Sequence, residues 1–303
     1  MEFKRSYLMN HKRGNRWAVV LGTALVFVVG LTTIASAEAP HALPWLRTGV
    51  GARAAGMGNA HVAVAGDATA GFFNPAGLTR IPKWGFASML SADMAFDRQF
   101  NYLALAGSFK WGSVGGSWIN AGIKDVQTTT EGNKDYLDNY FLLSYANMAK
   151  CFRWGANLVI ANNSVAEETG VGADLGFQWD FMPEVTFGLA AQSLGLKVGD
   201  DVTPYNIRLG VAVMPDMLEG FTLPLEIQKT QNVNDIKFRL GGEYAYRADN
   251  SDWGTAIRGG VDDGAFTLGA GLLFKQFSLD YAYYSEQVRF LEENHRFSLT
   301  GTF

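Results

Sequence analysis

Charged side chains recur in this chain at a spacing that places them on one face of extended backbone. Arg153, Arg208, Lys237, Arg239, Arg258 and Arg296 stand against Asp174, Glu226, Glu243 and Asp280, with apolar residues in the alternate positions around them. Successive side chains of a strand point to opposite faces, so these ten share the face turned away from the apolar set. Mixed charges in such a row have two uses. They can pair with one another and anchor whatever packs on them, or they can line a polar pathway or a ligand-orienting ladder. At membrane depth a charge must meet a partner or water, so under either use the row faces inward.

Other chemistry finds little support. No G-x-S-x-G elbow and no spaced Ser/His/Asp set is present. His11, His41, His61 and His295 have no ligand-like spacing with one another or with Cys151. Gly49 to Ala54 matches a loose G-x-G-x-x-A but lacks the βαβ context of a dinucleotide site. The chain therefore reads as non-enzymatic, with no metal and no cofactor. Its net charge of −4 argues against a nucleic-acid partner. The single cysteine, Cys151, permits no intrachain disulfide and reads as a small apolar strand residue.

The elements that must position the charges are strands. In 170–181, Val171, Ala173, Leu175, Phe177 and Trp179 oppose Gly172, Asp174, Gly176, Gln178 and Asp180. In 235–246, Ile236, Phe238, Leu240, Tyr244 and Tyr246 oppose Lys237, Arg239, Gly241 and Glu243; 204–213 alternates likewise. The pattern recurs near 84–92, 99–109, 112–122, 138–147, 151–162, 184–194, 220–229, 254–262, 265–274, 277–285 and 294–303, which makes fourteen candidates. Most match the ~9–11 residues of a tilted membrane strand. The breaks carry turn residues, such as Asp262-Asp263-Gly264, and the longest gap, Asp125 to Leu137, is polar. A soluble β-sandwich also alternates, but fourteen strands would give it a very large core for this length. Trp84, Trp111, Trp154, Trp179 and Trp253 lie near strand ends, where a membrane girdle wants them. The apolar phase, with Leu158, Ile160, Phe177, Ile207, Phe238, Leu268 and Leu279, reads as lipid contact.

Both ends of the chain point the same way. Residues 1–37 read as a secretory signal, with a basic start, an apolar run from Trp17 to Ile34 and an Ala35-Ser36-Ala37 cleavage triplet. Its removal would leave twenty basic and twenty-eight acidic residues, a balance of −8. At the other end Phe297, Leu299 and Phe303 alternate with polar residues and finish on an aromatic. That pattern resembles the C-terminal signal read by the outer-membrane assembly machinery. The expected fold is all-β: a transmembrane antiparallel β-barrel of about 14 strands in the bacterial outer membrane, in contact with outer-membrane lipid.

Residues 49–78 do not alternate and are rich in Gly and Ala, which suits close packing in a confined space. A small-residue helix is expected over Ala52 to Ala65, with Asp67 capping the next turn, Asn74-Pro75 starting another, and a positive φ at Gly77. The mechanical reading is a plug or hatch inside the lumen. The run GARAAGMGNAHVAVAGDATAGFFNPAGL resembles the N-terminal signature of the PorV/PorQ family, in the superfamily of the FadL long-chain fatty-acid transporter. The matches include Gly51, Arg53, Gly56, Gly58, Asp67, Asn74, Pro75, Ala76 and Gly77. The chain thus reads as a signal peptide (1–37), an N-terminal hatch (38–82) and a barrel (83–303), and the resemblance implies the same hatch inside a fourteen-stranded outer-membrane barrel. It also implies a conduit for hydrophobic small molecules gated by the hatch. The alternative it implies is an outer-membrane partner in type IX-like protein secretion or surface attachment, without small-molecule transport.

Overall fold

The computed structural model describes residues 43, 46, 48–92, 98–128, 132–165, 167–285 and 294–303; the leader read at residues 1–37 lies outside them. Fifteen strands occur among the described residues. They are β1 (Trp84–Ala92), β2 (Arg98–Phe109), β3 (Gly112–Thr128), β4 (Gly132–Ala149), β5 (Phe152–Asn163), β6 (Glu168–Met182), β7 (Val185–Val198) and β8 (Asp201–Val202). There follow β9 (Asn206–Val213), β10 (Phe221–Thr230), β11 (Ile236–Arg247), β12 (Trp253–Asp262), β13 (Ala265–Phe274), β14 (Phe277–Tyr284) and β15 (Asn294–Thr302).

Fourteen of these form the wall, and β8 only pairs back onto the end of β7. Each wall strand runs antiparallel to the next, and β1 returns to β15 with Gly85 opposite Thr302 and His295 opposite Ala92. Among the described residues the fourteen wall strands close into a barrel in which each has a paired neighbour on both sides. Tight turns suit the residues that make them. At Asp263-Gly264 both residues have positive φ, 52° and 93°, the twist a two-residue hairpin requires.

All fourteen alternating runs are wall strands. The polar gap at 125–137 is a correction: β3 and β4 continue to 17 and 18 residues, and Val126 pairs with Lys134. Backbone pairing needs no apolar side chain, so the ladder runs on where the alternation fades. The described parts of β2 and β5 end lower, opposite Ile123 and Asn139, so this hairpin stands above them. Cys151 lies in the turn before β5 rather than in a strand.

The facing follows the period of two. On β6, Val171, Leu175 and Phe177 are exposed outward while Asp174 and Gln178 are buried. Leu158, Ile207, Leu268 and Leu279 are likewise exposed, and Ile160 and Phe238 half-buried. Aromatic rings gather at the end that carries both Trp84 and Phe303. Trp84 meets Phe109 at 5.6 Å, Phe109 stacks on Trp111 at 5.3 Å, and Trp111 stacks on Tyr145 at 6.1 Å. Amphipathic rings favour such an interface between oil and water. Among the described residues no helix is long and apolar enough to cross a membrane.

The N-terminal segment forms α1 (Ala52–Gly56), α2 (Ala70–Phe73) and a 3-10 helix (Pro75–Arg80), all largely buried. Phe73, Leu78, Met89, Phe100, Ile119 and Leu142 belong to one apolar core between this segment and the wall. The helix expected over Ala52 to Ala65 stops at Gly56. Gly58 (φ 62°) then turns the chain so closely against β12 that a Cβ there would lie 2.5 Å from the Val261 carbonyl oxygen. Gly77 does not have the expected positive φ. It is small for a different reason: a Cβ would collide with the Ala65 carbonyl oxygen.

Candidate functional site

The inward charges lie in groups that tie the N-terminal segment to the wall. In the first, Arg53 of α1 forms two bonds to Glu243 on β11, and Arg258 Nε on β12 reaches the same carboxylate at 2.6 Å. Arg258 Nη1 also lies 2.8 Å from Asp280 Oδ1, an ion pair outside hydrogen-bond angles. The stacking of β11, β12 and β14 toward α1 brings these four together.

The second group centres on Glu226 of β10, which is fully buried. Its Oε1 accepts from Arg208 Nε at 2.6 Å and from Arg239 Nη1 at 3.2 Å. Its Oε2 accepts the backbone N–H groups of His61 and Val62, both at 2.9 Å. Arg239 Nε continues to Asp262 Oδ1 at 2.7 Å, and Asn59 Nδ2 donates to Asp262 Oδ2 at 2.9 Å. The Arg208 guanidinium stands 5.0 Å over the ring of Phe73, against which His61 also packs. Burial first, and then the charge of Arg53, pushes the His61 imidazole down to about 3, so it is neutral.

Around β6 the segment is held by neutral and charged groups together. Arg80 Nη2 pairs with Asp180 Oδ1 at 2.7 Å, and Arg153 pairs with the other oxygen of Asp180. Gln178 Nε2 donates to the carbonyls of Val62 and Ala65, at 3.2 and 3.0 Å. Asn74 Nδ2 donates to the carbonyls of Val62 and Phe177, both at 2.9 Å, while its Oδ1 accepts from Ala76 N–H at 3.2 Å. That capping starts the 3-10 helix at Pro75, where a missing N–H costs nothing. Asp67 Oδ1 accepts the Thr69 N–H at 2.8 Å, just before α2.

The remaining charges lie outside these three groups. Arg296, almost wholly buried on β15, donates to the Thr48 carbonyl at 2.7 Å. Lys237 lies 3.8 Å from Asp263, in the turn after β12. Asp174 meets the Asn157 amide and the Ser193 N–H, and no arginine among the described residues. Phe297, Leu299 and Phe303 face outward, and Phe303 exchanges both backbone bonds with Trp84 at 3.0 and 2.7 Å.

Arg80, Asp180, Gln178, Asp262, Asn59 and Asn157 belong to these groups but were not among the candidates. Asp180 and Gln178 share the polar phase of Asp174, and Asp262 that of Arg258, so their direction was readable. Asn59 lies outside any strand and gave no signal. In chemical terms the lumen offers paired charges, not a bare charged rail. Among the described residues no cluster of three or more His, Cys, Asp or Glu is placed to hold a metal ion.

No protein-family model matches the chain, and no curated protein matches it by sequence. Solved structures do. The monoaromatic hydrocarbon channel CymD is similar at 14% identity and a TM-score of 0.58, covering 84% of this chain and 98% of its own. The toluene transporter TbuX of Ralstonia pickettii is similar at 13% identity and a TM-score of 0.58, again over 84% of this chain and 98% of its own. A FadL homologue of Pseudomonas aeruginosa is similar at 14% identity and a TM-score of 0.52, over 82% of this chain and 97% of its own. At these identities the likeness is one of fold.

Proposed function

We propose that the chain is a non-enzymatic outer-membrane barrel of the FadL type that conducts hydrophobic small molecules, with residues 38–82 as its hatch. In this reading residues 1–37 direct export and are cleaved, and the assembly machinery inserts the barrel into outer-membrane lipid. One observation carries it. The N-terminal segment is held to the wall by side chains, among them Glu226, Gln178, Glu243 and Thr267, and pairs with no strand. Shifting it breaks no strand pairing, so the lumen can open while the wall stays intact. The fold shared with hydrocarbon channels supports the same reading.

A second reading, closer to the PorV/PorQ resemblance, is a docking protein for secreted or surface proteins. It draws on the tightness of the packing at Gly58, Gly77 and Gly188, where any Cβ would strike backbone of the segment or of the wall beneath it. A segment so closely fitted is suited to staying put. Deletion of residues 49–66 separates the two. A conduit gains planar-bilayer conductance and liposomal toluene flux, with the barrel still folded. A docking protein gains neither and loses a co-purifying protein. A deletion mutant that conducts no more than wild type and keeps every partner refutes both.

A further inference from the structure

Four asparagines form one row across four adjacent strands. Asn101 on β2 stands opposite Asn120 on β3, Asn120 opposite Asn139 on β4, and Asn139 opposite Asn162 on β5. Their chain neighbours Phe100, Tyr102, Ile119, Ala121, Tyr140 and Ala161 are buried on the lumenal side, so the period of two turns all four amides outward. The next outward row toward the Trp84 end is Leu103, Trp118, Phe141 and Ile160, all apolar.

The depth of the row follows from the chain. Asn101 and Asn120 stand nine residues from Lys110 and Trp111, and Asn139 and Asn162 eleven from Lys150 and Cys151, in the turns at the Trp84 end. A tilted strand crosses a bilayer in ~9–11 residues. The amides therefore lie one crossing from the aromatic girdle, among the headgroups of the opposite leaflet. Within the row, Gln99 Nε2 donates to Asn120 Oδ1 at 2.8 Å, and Asn120 Nδ2 to Asn139 Oδ1 at 3.2 Å. The Trp118 indole N–H donates to that same Asn139 oxygen at 3.0 Å. Asn139 Nδ2 and the whole Asn101 amide have no hydrogen-bond partner among the described residues, and both side chains are only half-buried. They flank Asn120, two strand spacings or ~10 Å apart.

We propose that this row binds the sugar headgroup of a glycolipid in the leaflet farther from Trp84. The proposal rests on the membrane reading of the barrel and not on conduction. Each hydroxyl of a sugar both donates and accepts, and the row offers free donors at Asn139 and a free donor and acceptor at Asn101. No member of the row carries a charge, whereas a phosphate headgroup would call for arginine or lysine there. Acyl chains alone would leave the free amides unsatisfied. The Trp118 ring, 37% exposed beside them, takes the apolar face of a sugar ring.

The test is native mass spectrometry of the full, folded barrel released from nanodiscs. The nanodiscs hold equal parts of digalactosyl diacylglycerol and phosphatidylglycerol with the same acyl chains. Wild type should retain the galactolipid over phosphatidylglycerol by at least about tenfold. Asn101→Leu, which breaks no side-chain bond among the described residues, should lower that preference. Asn101→Leu combined with Asn139→Leu should abolish it and leave phosphatidylglycerol retention unchanged. Equal retention of the two lipids by wild type overturns the proposal and leaves the membrane reading standing. So does a preference that survives the double substitution. Retention of neither lipid overturns both. A dimer in place of bound galactolipid, lost in the double variant, assigns the row to a second copy of the chain and also overturns the proposal.

Discussion

Arg53 and Glu243 meet through two parallel bonds, Nε to Oε2 at 2.9 Å and Nη2 to Oε1 at 2.7 Å. One partner belongs to α1 and the other to β11, so the pair fastens the lumen filling to the wall. The same carboxylate serves Arg258, whose side chain is 1% exposed. Removing one member of a buried charge group costs ~3–5 kcal/mol. Glu243→Ala should fall at the low end, because Arg258 keeps Asp280 and Arg53 reaches water. The expected result is a lower heat-unfolding temperature and faster protease cleavage within residues 48–82. A variant that melts and resists protease like wild type would contradict the fastening role.

Whether the outward face meets lipid can be tested by depth. Leu209 lies mid-strand in β9 and is exposed outward, whereas Val213 ends the strand. Arginine on the lipid side costs ~2–4 kcal/mol at the bilayer midplane and ~0–1 kcal/mol near an interface. Leu209→Arg should therefore reduce stability well beyond Val213→Arg in a bilayer refolding titration. Equal losses would show that this face does not meet lipid.

Gly58 offers a test of close packing. Gly58→Ala adds a Cβ at positive φ against the Val261 carbonyl and should cost roughly 1–3 kcal/mol. Gly116→Ala meets open space and should be near neutral. Thermal gel-shift midpoints compare the two, and matching midpoints would remove the packing argument.

The C-terminal residue seals the ring. Phe303 pairs with the Trp84 backbone and sets its ring 5.5 Å from that of Phe277. Deleting Phe303, or Phe303→Asp, should sharply reduce the heat-modifiable protein recovered from membranes. Normal recovery would mean that the terminal aromatic is dispensable for assembly.

The wall was legible because a period of two survives any context: each inward Asp and outward Leu declares its face locally. The pairings inside were not. Asp262 shares its strand and phase with Arg258 yet bonds Arg239, the residue opposite it across β11 and β12. Which inward charges meet depends on lateral register, and no single strand carries that. The same limit alters an energetic ranking. Periodicity makes Arg239→Ser a mild lumenal change, but Arg239 joins Glu226, Gln228 and Asp262, so its loss leaves two buried acids short of a partner. Within the N-terminal segment, the alanines argued for a longer helix. The approach of Gly58 to β12 won instead, a tertiary demand over a local propensity.

Closure of β1 on β15 carries a consequence for biogenesis. Ala52 N–H donates to Ser298 Oγ at 3.0 Å, and the Thr48 carbonyl accepts from Arg296. The stretch that leaves the ribosome early is thus secured by side chains made 246 and 248 residues later. Until the final strand arrives, the small-residue stretch lacks these anchors, and separations of 246 and 248 residues make the joining slow. Seating of the interior and completion of the ring become one event. A chain stalled before its last strand would carry both an open seam and a loose interior, two marks by which quality control could find it.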